Sequence, residues 1–311
     1  MAGFNYAGVD HMISYLLGIP GQEDLHTWIS ISFFISYVFA LLRNGLLVFI
    51  TLTKSGLHEH IYLFLCMLAR VDIVFATTTE PKVLTIFWCN YREISHIGYI
   101  AHLCFQLSSF ISESGILLIM TFDRYIAVSY PLRCTTILSH SLTRKIGVAV
   151  FLRAHCIIFL MTFHRKRLTF CRNNILPHTF CEHIGLAKYG CDDICINTWY
   201  GFFILMFTVV FDVVLIFASY VLILHAVFHI PSQDAHYKAF NTCGSHVCVM
   251  ILFYGPGIFS VLKQCFGLIH VHILLASTTL LAPPMLNSLI YGVKTKQMRD
   301  QVVYVFSPKQ K

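Results

Sequence analysis

Seven stretches of this chain are too apolar and too poor in charge for water to solvate along their length. They fall at residues 28–52, 61–76, 97–122, 146–163, 199–228, 243–262 and 271–292. A membrane span needs about 20 mostly apolar residues. In lipid only helices and closed barrels satisfy their backbone hydrogen bonds. Barrel strands would appear as alternating segments of about ten residues. These runs are longer and continuously apolar, so they predict helices. The charged fraction is 12%, about half that of an ordinary soluble domain, and the mean hydropathy is +0.69. With 311 residues, the chain holds seven spans and short loops and leaves no room for a separate soluble domain. The expected architecture is an all-α membrane protein, a seven-transmembrane helix bundle.

The net charge of +7 does not point to nucleic acid, because the basic residues are scattered among short loops. It reads instead as charge bias between two membrane faces. Residues 1–27 carry Asp10, Glu23 and Asp24 but no Lys or Arg, and Lys54 sits just past the first run. The N-terminus is therefore expected outside. Seven spans then put the C-terminus inside with Lys294, Lys296, Arg299, Lys309 and Lys311, and the second inner loop holds Arg133, Arg144 and Lys145. Arg165, Lys166, Arg167 and Arg172 oppose this bias, since the same topology puts them outside. The Met1 end shows no basic segment before a short apolar core, so insertion is expected to fall to the first span. The divisions are residues 1–27 outside, 28–292 in the membrane bundle and 293–311 as an inner tail. No internal repeat of the kind common in transporters is visible, and no nucleophile–base set lies at motif spacing, so neither a transporter nor an enzyme is favoured.

Polar groups inside a membrane are costly and mark function or interhelical contact. Asn44, Asp72 and Asn287 fall near mid-depth of the first, second and seventh runs. One hydrogen-bonded cluster would satisfy all three, whether as a switch or as plain glue between helices.

Longer patterns surround them. The third run ends in Asp123-Arg124-Tyr125, then Ile126-Ala127-Val128 and Pro131-Leu132-Arg133. The seventh closes with Pro283-Pro284-Met285-Leu286-Asn287-Ser288-Leu289-Ile290-Tyr291-Gly292. The sixth opens with Lys238-Ala239-Phe240-Asn241-Thr242-Cys243 and Ser245-His246, and the fifth ends in Ser219-Tyr220. Leu57-His58-Glu59 precedes Tyr62-Leu63-Phe64-Leu65 at the second. In this order the strings resemble the signature set of olfactory receptors among the rhodopsin-like G-protein-coupled receptors. The tracts at 57–59 and 122–125 resemble the class I, fish-like branch.

The resemblance implies a plasma-membrane receptor with no enzymatic activity and no cofactor. Its implied partners are a small volatile odorant, membrane lipid and a heterotrimeric G protein with a stimulatory olfactory α subunit, which raises cyclic AMP. Asp123, Arg124 and Tyr125 would form the inner switch, with Arg124 paired to Asp123 at rest. Tyr291 would complete it. Tyr254, two residues before Pro256, would be the aromatic beneath the ligand, beside a proline-permitted bend.

Helical phase gives the ligand wall. Gln106 precedes Arg124 by eighteen residues, about five turns, so both share an azimuth about 27 Å apart. Leu103, Leu107 and Phe110 extend that stripe. Met206, Gly257, Ile258, Val261 and Thr279 are expected to face it, although helix packing alone would also account for such residues. Class I receptors often take short-chain acids, some through a basic residue at the outer end of the sixth helix. Alignment places Cys265 there, with Lys263 on another face, so the resemblance does not carry an acid ligand over.

Of 12 cysteines, Cys171, Cys181, Cys191 and Cys195 cluster before the fifth run. The resemblance implies a Cys171–Cys191 disulfide. Cys181 would pair with a cysteine at the position here held by Tyr99, and Cys104 is a poor geometric substitute. His178, Cys181 and His183 also have the spacing of soft metal ligands, but a disulfide-rich loop with spare histidines is the favoured reading, so no metal site is assigned. Other departures are Arg43 for glycine, His60 and Ser288 for prolines and Ser129 for cysteine, while Arg70 and Arg153 add charge to spans. No Asn-x-Ser/Thr acceptor occurs. Together these describe a divergent receptor expected to fold or traffic poorly.

Overall fold

The computed structural model describes residues 13–16, 26–53, 60–89, 91–130, 134–165, 175–176, 195–229 and 246–255, with residues 233, 236–237, 240, 243–244, 284–285 and 287. In chain order the elements are β1 (Ile13–Leu16), α1 (His26–Thr53), α2 (His60–Cys89), β2 (Glu93–Ser95), α3 (His96–Ser129), α4 (Cys134–Ile137), α5 (His140–Arg165), β3 (Ile175–Leu176) and α6 (Cys195–Phe228). A further helix, α7, covers His246–Gly255.

Four described helices, α1, α2, α3 and α6, are long and apolar enough to cross a membrane. The expected fourth run lies on α5, where Arg144, Lys145 and Arg153 dilute the apolar character. The expected sixth run is represented by α7, and the expected seventh by Pro284, Met285 and Asn287.

The second run extends further than its hydropathy predicts, because α2 continues past Ala76 through Thr77, Thr78, Thr79, Glu80, Pro81 and Lys82 to Cys89. Part of the polar load is absorbed by the helix itself. Thr78 Oγ1 donates to the Val74 carbonyl at 2.8 Å, and Thr85 Oγ1 to the Lys82 carbonyl at 2.8 Å. Such back-bonding satisfies hydroxyls without leaving the helix.

The helices close around one main core. Leu47 and Ile50 of α1, Phe64 and Leu68 of α2, Leu117 and Met120 of α3, Ile216 of α6 and Phe253 of α7 are all buried in it. Large side chains on the outward faces, such as Phe34, Phe39, Phe207 and Phe217, remain exposed. Hydrophobic residues facing outward on this scale are what a lipid-facing surface requires.

Three short strands sit at the end of the bundle where α2 stops and α3 starts, an element the hydropathy pattern did not reveal. Their order is β2-β1-β3. β1 runs antiparallel to β2, with Ile13 opposite Ser95 and Tyr15 opposite Glu93. It runs parallel to β3, with Leu16 opposite Leu176. Leu16 turns down onto Tyr99, Ile86 and Leu103 and makes a buried apolar cap. Ser95 ends β2 and caps α3, its hydroxyl accepting from the Gly98 N–H at 3.1 Å. Such a cap satisfies a donor the helix cannot.

Glycine permits close approach at two helix crossings, α3 against α5 and α5 against α2. A Cβ at Gly115 would meet Val150 Cγ1 at 2.8 Å, and one at Gly147 would meet the flexible end of Met67 at 2.5 Å. Val is stiff about χ1 whereas Met adapts. Gly115→Ala should therefore destabilise the purified chain by about 1–3 kcal/mol, with Gly147→Ala costing less. Thermal unfolding in detergent checks the order of the two.

Candidate activation switch and ligand chamber

The polar residues of α1, α2 and α3 meet the seventh segment in mid-bundle. Asn44, Asp72 and Asn287 are all buried. Asn44 Nδ2 donates to the Pro284 carbonyl at 2.9 Å. Asn287 Nδ2 donates to Glu113 Oε1 at 2.6 Å and lies 3.4 and 3.5 Å from the two Asp72 oxygens. The three expected residues thus converge on one segment, but Asn44 holds its backbone rather than the Asn287 side chain. Glu113 is the member that sequence reasoning missed. It lies eleven residues before Arg124, about three helical turns, so it shares the azimuth already assigned to Arg124 and Gln106.

A second network surrounds Tyr254. Ser114 Oγ donates to Asp212 Oδ2 at 2.6 Å and lies 2.8 Å from Tyr254 Oη. Ser114 has one proton and gives it to the carboxylate, so the Tyr254 hydroxyl is the donor to Ser114. Arg153 meets the same carboxylate with two nitrogens, Nη1 to Oδ1 at 3.0 Å and Nη2 to Oδ2 at 2.7 Å. The Asp212 side chain is fully buried. The bidentate fork is the strong form of this contact. It answers the load expected of Arg153, because the charge is paired across helices. Four helices, α3, α5, α6 and α7, are tied at one level.

Above Tyr254 the ring of Phe253 stacks on Phe110, centroids 4.7 Å apart at 19°. Leu103 and Gln106 are buried on the same stripe, and Leu107 packs partly buried against the caps on both sides. Met206 is half-buried on α6. Gly257, Ile258, Val261 and Thr279 lie outside the described residues, as do Tyr291, Cys171, Cys181, Cys191, His178 and His183. Among the described residues no group of three or more His, Cys, Asp or Glu is placed to hold a metal ion.

At the opposite end of α3, Asp123 is buried and lies 3.9 Å from Arg124. Tyr125 packs on Ile223, Val227 and Cys243. Tyr220 Oη lies 2.7 Å from His246 Nδ1, tying α6 to α7 beside that cluster.

Three of the departures from pattern, Arg43, His60 and Tyr99, have local contacts. Arg43 lies over the Phe39 ring at 5.6 Å, a cation–π contact. Buried His60 faces Thr143 Oγ1 through Nδ1 at 3.2 Å and pairs its ring with His140 at 4.8 Å. Cys104 is a free thiol, 2.9 Å from Thr162 Oγ1 of α5. Tyr99 is 1% exposed under Leu16, so packing occupies the place of the missing tether.

Helices long and apolar enough to cross a membrane, tied to one another by buried polar contacts, define a polytopic helical membrane protein. A profile described as olfactory receptor matches residues 33–309. Human olfactory receptor 52B4 is 62% identical over the whole of both chains. Human olfactory receptor 52B2 is 48% identical over 94% of this chain and 91% of its own. Human olfactory receptor 52H1 is 45% identical over 98% of each. The chain belongs to the olfactory receptor family, in its class I branch. It is a G-protein-coupled receptor of the plasma membrane and not an enzyme.

The Arg153–Asp212 pair makes a separable prediction. Arg153→Met leaves the Asp212 carboxylate buried and unpaired, which should cost about 3–5 kcal/mol. The double variant Arg153→Met with Asp212→Leu should recover most of that loss. Thermal unfolding of the three purified proteins decides it, and a double variant no better than the single would remove the pair from the account.

Proposed function

We propose that this receptor detects a small volatile odorant in the sheet-side half of the bundle and activates a stimulatory olfactory-type G protein, raising cyclic AMP. The observation that carries the reading is the stack of Phe110 on Phe253. It joins the stripe of Leu103, Gln106 and Leu107 to Tyr254, whose hydroxyl enters the Ser114–Asp212–Arg153 network. A ligand that displaces Phe110 changes the cost of moving α7. Differential contact of this kind is what a population shift requires.

The residues lining the ligand are Leu103, Gln106, Leu107, Phe110 and Met206, with Gly257, Ile258, Val261 and Thr279 completing the wall. Asp123, Arg124 and Tyr125 release α7 when the helices part, with Tyr291 and Asn287 on the seventh helix. The bundle crosses lipid seven times over residues 28–292. The segment 1–27 lies outside and the tail 293–311 inside. Cys171 and Cys191 form a disulfide in the outer loop. Arg43, Tyr99, His60 and Ser288 slow its delivery to the surface.

An N-terminally tagged chain should stain on intact cells, with Arg43→Gly raising the level. In the same cells an active odorant should raise a cyclic AMP reporter, and Arg124→Ala should abolish the response at equal surface staining. Tag accessibility only after permeabilisation at the surface would reverse the topology. A full response from Arg124→Ala would remove the switch assignment.

A further inference from the structure

The interior face of α2 and α3 is built in layers one heptad apart. Asp72 and Glu113 meet at Asn287 and so share a depth. Seven residues nearer the sheet end lie Thr79 on α2 and Gln106 on α3. Seven further lie Ile86 and Tyr99, packed together under Leu16. Seven residues turn an α-helix through about two whole turns and advance it about 10 Å. Thr79 and Gln106 therefore face the same interior as the acids below and the cap above, and both neighbouring layers are closed by contacts of their own.

The middle layer is different. Thr79 Oγ1, Glu80 Oε2 and Gln106 Oε1 are each buried with no hydrogen-bond partner among the described residues. Glu80 is 1% exposed, and Thr79 likewise. Glu80 flanks the layer on the α1 side, where Val83 and Leu84 pack on Phe33. The cation closest to it along α2, Lys82, is committed elsewhere. Its Nζ donates to the Glu93 carbonyl at 2.7 Å and lies over the Tyr91 ring at 4.9 Å. His102 lies against Thr78 and Lys82, on the α3 side. Buried oxygens without partners are expensive in any protein and more so in lipid. A group that brings hydrogen-bond donors and positive charge removes that cost.

We propose that Glu80 receives the ammonium group of a small aliphatic amine, with the alkyl chain lying along the Thr79–Gln106 layer between α2 and α3. The inference rests on the receptor reading above and names its ligand class. A carboxylic acid would bring like charge against Glu80 and is disfavoured. An alcohol satisfies one oxygen but leaves the carboxylate without a counter-charge.

The test uses the purified full-length chain with hexylamine, hexan-1-ol and hexanoic acid as probes, read by thermal shift, and the same probes on cells with the cyclic AMP reporter. The amine should stabilise the protein more than the alcohol, and the acid not at all. Glu80→Gln should weaken the amine by about tenfold or more, the scale of a lost charge-assisted hydrogen bond, and the alcohol far less. Glu80→Leu is the second variant, which removes the buried acid without leaving a polar group to satisfy. Amine binding undiminished in both variants, preference for the acid, or no amine binding up to millimolar concentration would overturn the site. Amine stabilisation that depends on Glu80 but raises no cyclic AMP from surface-displayed receptor keeps the site and rejects the G-protein reading.

Discussion

One amide holds the centre of this protein. Asn287 donates to Glu113 and faces both oxygens of Asp72, so a single side chain of the seventh segment serves acids from two other helices. In lipid no water is present to take its place, and each of these groups would otherwise carry a desolvation cost of several kcal/mol. Asn44 adds a backbone contact to the same segment through Pro284. Asn287 and the Pro284 carbonyl are therefore held by hydrogen bonds, while α1, α2 and α3 share an apolar core. Apolar side chains gain little by leaving lipid for one another, so the polar contacts decide which helices adjoin. They also fix the depth at which the layers above and below must register.

The second network has the same logic with full charges. Arg153 on α5 and Asp212 on α6 would each be prohibitive alone in a bilayer. Together, and with Ser114 taking the remaining contact, they become a fixed dipole to which Tyr254 is tied. Breaking this arrangement means moving α7 against three helices at once. The Asp123–Arg124 pair lies at the far end of the same helix, so the candidate chamber floor and the candidate inner switch share one rigid element. Packed cores are bistable rather than continuously deformable, which makes a single helix with both features a suitable transmitter.

Much of this was legible in the sequence, and the exceptions have physical causes. The spans at α1, α3 and α6 follow from hydropathy alone; α1 and α6 leave most of their surface outside the bundle, whereas most of α3 is buried. The stripe from Gln106 to Arg124 follows from helical phase, and burial of Gln106 agrees with it. Asn44, Asp72 and Asn287 were visible because an intramembrane polar residue is conspicuous one at a time. Glu113, Ser114 and Asp212 were not found, although Glu113 stood on a stripe already drawn. Their role depends on which residue of a distant helix meets them, and no spacing within one segment encodes that. The length of α2 was misjudged for the opposite reason. Hydropathy scores Thr77–Thr79 and Glu80 as a boundary, whereas threonine hydroxyls can be satisfied inside the helix that carries them.

The departures from the family pattern look different once their partners are known. Read singly, Arg43, Arg153, His60 and Tyr99 are four burdens on insertion and folding. In the bundle Arg153 is a paired charge, Arg43 rests on an aromatic ring, His60 meets Thr143 and His140, and Tyr99 is the largest member of a buried cap. The cap matters most. A disulfide between the third helix and the outer loop would act mainly on the unfolded chain. Burial of Tyr99 under Leu16 instead stabilises the folded end directly, and it recruits β1 to do so. The tether is then non-covalent and depends on the sheet register that sets Leu16 opposite Leu176. A cap closed by packing alone can open without bond chemistry, which an end tethered by a disulfide cannot do.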